Sequence, residues 1–262
     1  MKLALRGTLA SVAVGGLLVI GSVGSASAAQ SASPLPPEGN QAQGARQCAA
    51  ELAAARDNGV GNLRALGDCE IDQRLATVTK LQGRVAAARG LTDADADRKA
   101  LHSQLADDAS GLTALRATID GETNVTALRA DLKQIVTNFR IYALMAPKTA
   151  EVIAADTELA AVTRLGIVES KLQARIDVDK AAGKDVTQAQ RDLDAMQQKV
   201  ARVSSLVQGV PASVLALTPA QYPGTARPIL ASSRTSLRTG RGLLAGARAD
   251  ARACRAALVA LR

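Results

Sequence analysis

The chain has 262 residues, 47% of them apolar, and a formal net charge of +8, yet it carries only three aromatic side chains: Phe139, Tyr142 and Tyr222. A core with no Trp has to be filled by Ala, Leu and Val, which suits slim, closely spaced helices better than a compact enzyme interior. One histidine, His102, and three cysteines undersupply multi-histidine metal centres, His-based triads beyond a single pair, and aromatic platforms for stacking bases.

Met1 to Ala28 reads as a secretory signal. Lys2 and Arg6 form the charged start, Leu9 to Val23 is apolar, and Ala26-Ser27-Ala28 supplies the small-residue cleavage pattern before Ala29. The apolar run falls short of the ~20 residues a membrane span needs, so cleavage is favoured over an uncleaved anchor. The mature chain is expected to be secreted, or held at the cell envelope by non-covalent contacts. Residues 29–46 are rich in Pro, Ser and Ala and cannot bury enough surface to offset chain entropy, so they read as a flexible leader.

Residues 47–208 show helical periodicity throughout. Caps and breakers predict helices over Gln47–Arg56 and Asp68–Arg89, the second burying Ile71, Leu75, Val78 and Val85 and stopping at Gly90. Thr92, with Asp95 in the capping-box position and Asp93 and Asp97 alongside, opens the next helix. Leu101, Leu105, Leu112, Leu115 and Ile119 then form a heptad seam in which Asp108 takes the missing core place, and beyond Thr123 it resumes as Val125, Leu128, Leu132, Ile135, Phe139 and Tyr142. Pro147 has no N–H to donate and is expected to kink or restart the helix. A looser seam of Val152, Leu159, Val162, Leu165, Leu172 and Ile176 follows over Thr149–Ala182, with Gly183 as end cap. Asp185 with Gln188 opens a helix whose seam is Val186, Ala189, Leu193, Met196, Val200, Val203 and Val207.

Residues 209–225 contain three prolines and read as a connector. Residues 226–262 form the last helix, with Leu230, Leu237, Leu244, Ala251, Cys254, Leu258 and Leu261 on one seam and only Ser233, Gly240 and Ala247 at the alternate core places. No run with strand period competes. The expected fold is all-α: an elongated antiparallel helical bundle or coiled coil, with the last helix packed on it. Its seams also offer a route to a homo-oligomer.

Cys48, Cys69 and Cys254 permit three single-bridge pairings. The turn signal from Asp57 to Asn62 lies between Cys48 and Cys69, as expected of a clip across a helical hairpin, and favours that pair over a bridge to Cys254.

The stretch from Cys69 to Thr157 resembles an uncharacterised family of secreted, predicted coiled-coil proteins of high-GC Gram-positive bacteria. The residues that carry the resemblance are Cys69-Glu70-Ile71-Asp72 with Arg74-Leu75, Gly90-Leu91-Thr92-Asp93, Gly111-Leu112-Thr113-Ala114-Leu115, and above all the run from Phe139 to Lys148 with Ala154-Ala155-Asp156 after it. The resemblance implies export and a coiled coil, and no chemistry.

Asp93, Asp95 and Asp97 imitate the opening of a calcium loop, but Arg98 stands where that loop needs glycine and Gln104 where it needs a bidentate glutamate. His102 has no spaced second ligand. Arg140 and Tyr142 flank the break expected at Pro147, and a folded-back chain would bring the Asp156 carboxylate to the guanidinium; the expectation is a structural Arg–Tyr–Asp cluster, with a ligand site as the alternative.

The charge layout is uneven. Residues 201–262 hold nine Arg, no Lys and one acid, Asp250, whereas residues 29–200 hold 21 bases against 23 acids. Arg234, Arg241, Arg248, Arg255 and Arg262 share one heptad column and Arg238 and Arg252 a second. They either pair with acids on neighbouring helices or form a rail for a polyanion: an anionic cell-envelope polymer such as a wall phosphate polymer, an acidic membrane surface or nucleic acid. There is no specific nucleic-acid motif. No catalytic, cofactor or metal residues are expected, and the function reads as that of an exported, non-enzymatic structural or binding protein of the envelope, with polyanion binding as the alternative.

Overall fold

The computed structural model describes residues 48–88 and 95–262. The expected signal, the leader and the cap residues Gly90, Thr92 and Asp93 lie outside them. Every element among the described residues is helical, and the fold is all-α.

The chain begins with α1 (Ala49–Ala54), extended by a 3-10 turn over Ala55–Asp57, and α2 (Val60–Ala87). A disulfide joins Cys48 to Cys69 across this hairpin. The helix α2 begins at Val60, well before the Asp68 expected from sequence, because the turn needs only Asn58 and Gly59. Asn58 adopts the left-handed conformation, φ 56°, which Asn tolerates better than most residues. Asn62, read as part of the turn, is already helical and donates its amide to the Ala54 carbonyl at 3.0 Å.

The next helix, α3 (Asp95–Gly121), buries Leu101, Leu105, Leu112, Leu115 and Ile119, the whole of its expected seam. Asn124 caps α4 (Val125–Thr137), its Oδ1 accepting from the N–H groups of Thr126 and Ala127 at 2.8 and 3.1 Å. The Phe139 ring lies on Gly111, where an added Cβ would stand 2.6 Å from the ring edge. Gly111→Ala is therefore expected to destabilise the protein. The ~1 kcal/mol of helix propensity gained is outweighed by overpacking of about 1–3 kcal/mol, and a lowered urea midpoint at unchanged slope would show it.

The break that sequence assigns to Pro147 falls earlier. Helix α4 ends at Thr137, Arg140 is left-handed with φ 51°, and a π-helical turn over Ile141–Met145 leads without interruption into α5 (Ala146–Ala181). Pro147 occupies the first turn of α5, directly after the π turn, where a missing N–H costs least. At the other end of α5, Gly183 is left-handed with φ 78°. Its N–H donates to Lys180 and that of Lys184 to Asp179, the pairing of a Schellman stop.

The remaining elements are α6 (Thr187–Val207), α7 (Val210–Leu215), a 3-10 turn over Pro219–Gln221 and α8 (Ala226–Ala260). Asp185 Oδ1 accepts from the Thr187 N–H at 3.0 Å at the start of α6. The stretch expected to be a mere connector is folded into the core, with Val210, Pro211, Val214 and Leu217 buried. Its apolar residues cover the start of α5, against which α7 packs.

Two ion pairs fix the register of α8 on α5. Arg234 meets Glu151 and Arg241 meets Glu158, both separated by 83 residues, so the two helices run in the same direction. Helix α6 runs against α8: Gly240 packs on Val207, Gly246 on Lys199, and Lys199 binds Asp250 at 2.5 Å. Ser233, Gly240 and Ala247 are buried and let the helices approach closely. At Gly240 a Cβ would run into the Glu158 carboxylate.

Candidate functional site

The arginines of α8 divide into two groups. Arg234 Nε donates to Glu151 Oε1 at 2.9 Å and Arg241 Nε to Glu158 Oε1 at 3.2 Å, and both glutamates are buried. The heptad column therefore spends its first two members on internal partners. The same register places Leu165 opposite Arg248 and Leu172 opposite Arg255, while Asp179, opposite Arg262, is held by Arg175 and Lys184. Arg238, Arg248, Arg252, Arg255 and Arg262 are exposed and make no ion pair among the described residues. The nearby acid Asp250 is held by Lys199. Cys254 is buried on the same helix, where burial and then the Asp192 charge push its thiol pKa up, so it has the character of a core residue and not of a nucleophile.

A second concentration of charge is interior. The first half of α5 is buried nearly all round, and it carries Lys148, Glu151, Asp156 and Glu158. Lys148 Nζ donates to Gln104 Oε1 at 2.8 Å and to the carbonyls of Leu217 and Leu215 at 2.6 and 3.4 Å. Asp108, the polar member of the α3 seam, is close enough to raise the ammonium's pKa, but burial prevails and lowers it to about 8. Burial raises Asp108 to about 7 against the pull of Lys148. Glu151 and Glu158 are likewise pushed up to about 7 by burial, in opposition to the charges and hydrogen bonds of Arg234 and Arg241. Asp156 reaches about 7 through burial and then through the Asp97 carboxylate beside it, which Arg98 offsets in part. One oxygen of each of these four carboxyls is buried without a hydrogen-bond partner, the condition expected of groups that hold a proton near neutrality.

The expected Arg140–Tyr142–Asp156 cluster does not form as a unit. Because Pro147 lies inside the continuous α5, Asp156 is carried about 15 Å up the axis from Ala146, to Asp97 and Arg98 on α3. Arg140 instead stands over the Tyr222 ring, 5.3 Å from its centre, while Tyr142 receives Arg74 of α2 at the same 5.3 Å. Arg74 is paired with Glu70 one turn earlier. The sequence reading missed Arg74 and Tyr222. Arg74 looks like any solvated arginine, and Tyr222 lies among the prolines of the stretch read as connector.

Among the described residues, no group of three or more His, Cys, Asp or Glu is placed to hold a metal ion, and no helix is long and apolar enough to cross a membrane. His102 is exposed on α3. Comparison with known proteins finds no family model, no curated protein and no solved structure that matches this chain.

Proposed function

We propose that this is an exported, non-enzymatic helical protein of the cell envelope that binds an anionic polymer through the C-terminal half of α8. The observation that carries the reading is that no acid of α5 stands in register with Arg248 or Arg255, and that the acid in register with Arg262 is held by Arg175 and Lys184. Arg248 and Arg255 repeat at about 10.5 Å on an exposed face, with Arg252 between them, Arg262 just past the end of the helix and the local acid Asp250 already engaged. A polymer can span that repeat, whereas a single small anion cannot. The signal pattern at Met1–Ala28 and the resemblance to secreted coiled-coil proteins support the location, and a phosphate-bearing wall polymer is the partner such a location supplies. We also propose that the helices form an elongated antiparallel bundle: α5 alone, at 36 residues, is about 54 Å long, and α6 runs against α8. Small-angle scattering should then give a particle much longer than a sphere of its mass, and a compact profile would reject this arrangement.

The binding is tested with long-chain polyphosphate titrated at several salt concentrations. Affinity is expected to fall linearly on a logarithmic salt scale, and Arg248→Gln/Arg252→Gln/Arg255→Gln is expected to flatten that slope by about 2. Arg234→Gln/Arg241→Gln should lower stability and leave the slope nearly unchanged, since those guanidiniums serve Glu151 and Glu158. Equal slopes for the two variants, or no binding at low salt, would reject the proposal. Tighter binding to acidic vesicles or duplex DNA than to polyphosphate would reassign the partner.

A further inference from the structure

A pocket of about 510 Å³ opens where α1, α2, α4 and the π turn meet, away from the arginine column of α8. Its walls are aliphatic, from Leu52, Leu66, Leu132, Ile135 and Val136. Leu52 and Val136 are 50% and 46% exposed, which leaves apolar surface uncovered at its edge. Both tyrosines of the chain and two guanidiniums line the same space. The two arginines differ in their state. Arg74 is neutralised by Glu70, but Arg140 makes no ion pair among the described residues, and its Nε is buried without a hydrogen-bond partner. Leaving such a donor unmatched costs free energy, and a carboxylate is the acceptor that matches a guanidinium best.

The backbone holds Arg140 there at a cost. A left-handed arginine between a helix end and a π turn combines two departures from regular structure, of the kind that persists where a side chain must be aimed. The Tyr222 ring supports the guanidinium, and both line the pocket. One unpaired cation above aliphatic walls, with Glu70 opposing further negative charge, fits a single negative charge on an apolar body.

From this geometry we infer that the pocket binds an aliphatic monocarboxylate, with Arg140 pairing its head and the walls from α1, α2 and α4 taking its chain. The assignment is independent of polymer binding by α8.

The chain has no Trp, so its intrinsic emission comes mainly from Tyr142 and Tyr222, both in the pocket. Decanoate, titrated below its micellar range, is expected to change tyrosine emission saturably and to bind one to one by calorimetry. Decanol and decyltrimethylammonium should bind at least about ten-fold more weakly. Arg140→Asn keeps a residue that tolerates the left-handed backbone and removes the guanidinium, and should weaken decanoate by about ten-fold or more. Val136→Glu alters an exposed wall position, retains Arg140, and places a carboxylate at the mouth; it should abolish decanoate binding and leave the salt slope for polyphosphate unchanged. Absence of saturable decanoate binding overturns the assignment, as does equal affinity for the neutral and cationic chains. Should Arg140→Asn fail to fold, unchanged decanoate affinity in Val136→Glu overturns it as well.

Discussion

Replacing Lys148 with methionine is expected to lower stability by about 3–5 kcal/mol, although the new side chain is as long and more apolar. Lys148 is 2% exposed, so the loss cannot be made good by water. Its ammonium serves Gln104 on α3 and the Leu215 and Leu217 carbonyls at and just past the end of α7, and so ties three segments of the chain together at one atom. Methionine leaves those acceptors unmatched and removes the charge that opposes the effect of burial on Asp108, whose Oδ2 already lacks a partner. Removing the acid as well, with Asp108→Leu in the same chain, should recover part of the loss, because a partly buried carboxyl deprived of its neighbouring cation costs more than an apolar side chain in its place. Equilibrium urea denaturation of the two single variants and the double variant gives the coupling energy directly. A loss below about 1 kcal/mol for Lys148→Met would mean that the cluster contributes nothing beyond the volume it fills.

The contrast between the α3 seam and its buried partner shows how far the sequence could be read. Leu101 to Ile119 and Ala189 to Val207 follow a spacing that only a helix can bury on one side, and those residues are buried. Asp108 was visible as a gap in such a seam, but the residue that answers it, Lys148, lies in an Ala/Thr-rich stretch where α5 is buried on every side and one-sided periodicity disappears. Glu151 and Glu158 are spaced by seven, as are Arg234 and Arg241. That match was present in the sequence, yet only the parallel register of α5 and α8 makes it an interaction. The break at Arg140 carried no signal, since arginine has no preference for left-handed backbone, and the conspicuous Pro147 drew the expected break to itself. For the same reason Asp156 was assigned to Arg140, and Tyr222 to nothing.

Mild acidification is expected to stabilise the protein, contrary to the behaviour of a fold held by ordinary surface ion pairs. Asp108, Glu151, Asp156 and Glu158 are raised from their ordinary values of 3.8 and 4.5 to about 7. Between those limits the folded chain retains protons that the unfolded chain has released. Proton linkage therefore makes stability fall as pH rises through the window: the contribution is present in full below the ordinary carboxyl values and lost above about 7. Each tenfold gain in a carboxyl's proton affinity on folding is worth about 1.4 kcal/mol, so the four groups together give an effect on the order of several kcal/mol. Asp179 and Asp185 oppose it, being held below the ordinary aspartate value by hydrogen bonds from Arg175 and Thr187, but their stabilising share is lost only at still lower pH. Lys148, lowered to about 8, makes stability rise again above that value, so the decline should level off there. Thermal unfolding followed by circular dichroism between about pH 5 and about pH 8 should show the midpoint falling continuously. Glu151→Gln/Glu158→Gln imitates the protonated state and should flatten the profile while leaving the acid-side midpoint nearly unchanged. A midpoint that rises with pH across this range would show that these carboxyls are ionised in the folded protein and that Arg234 and Arg241, rather than burial, set their charge.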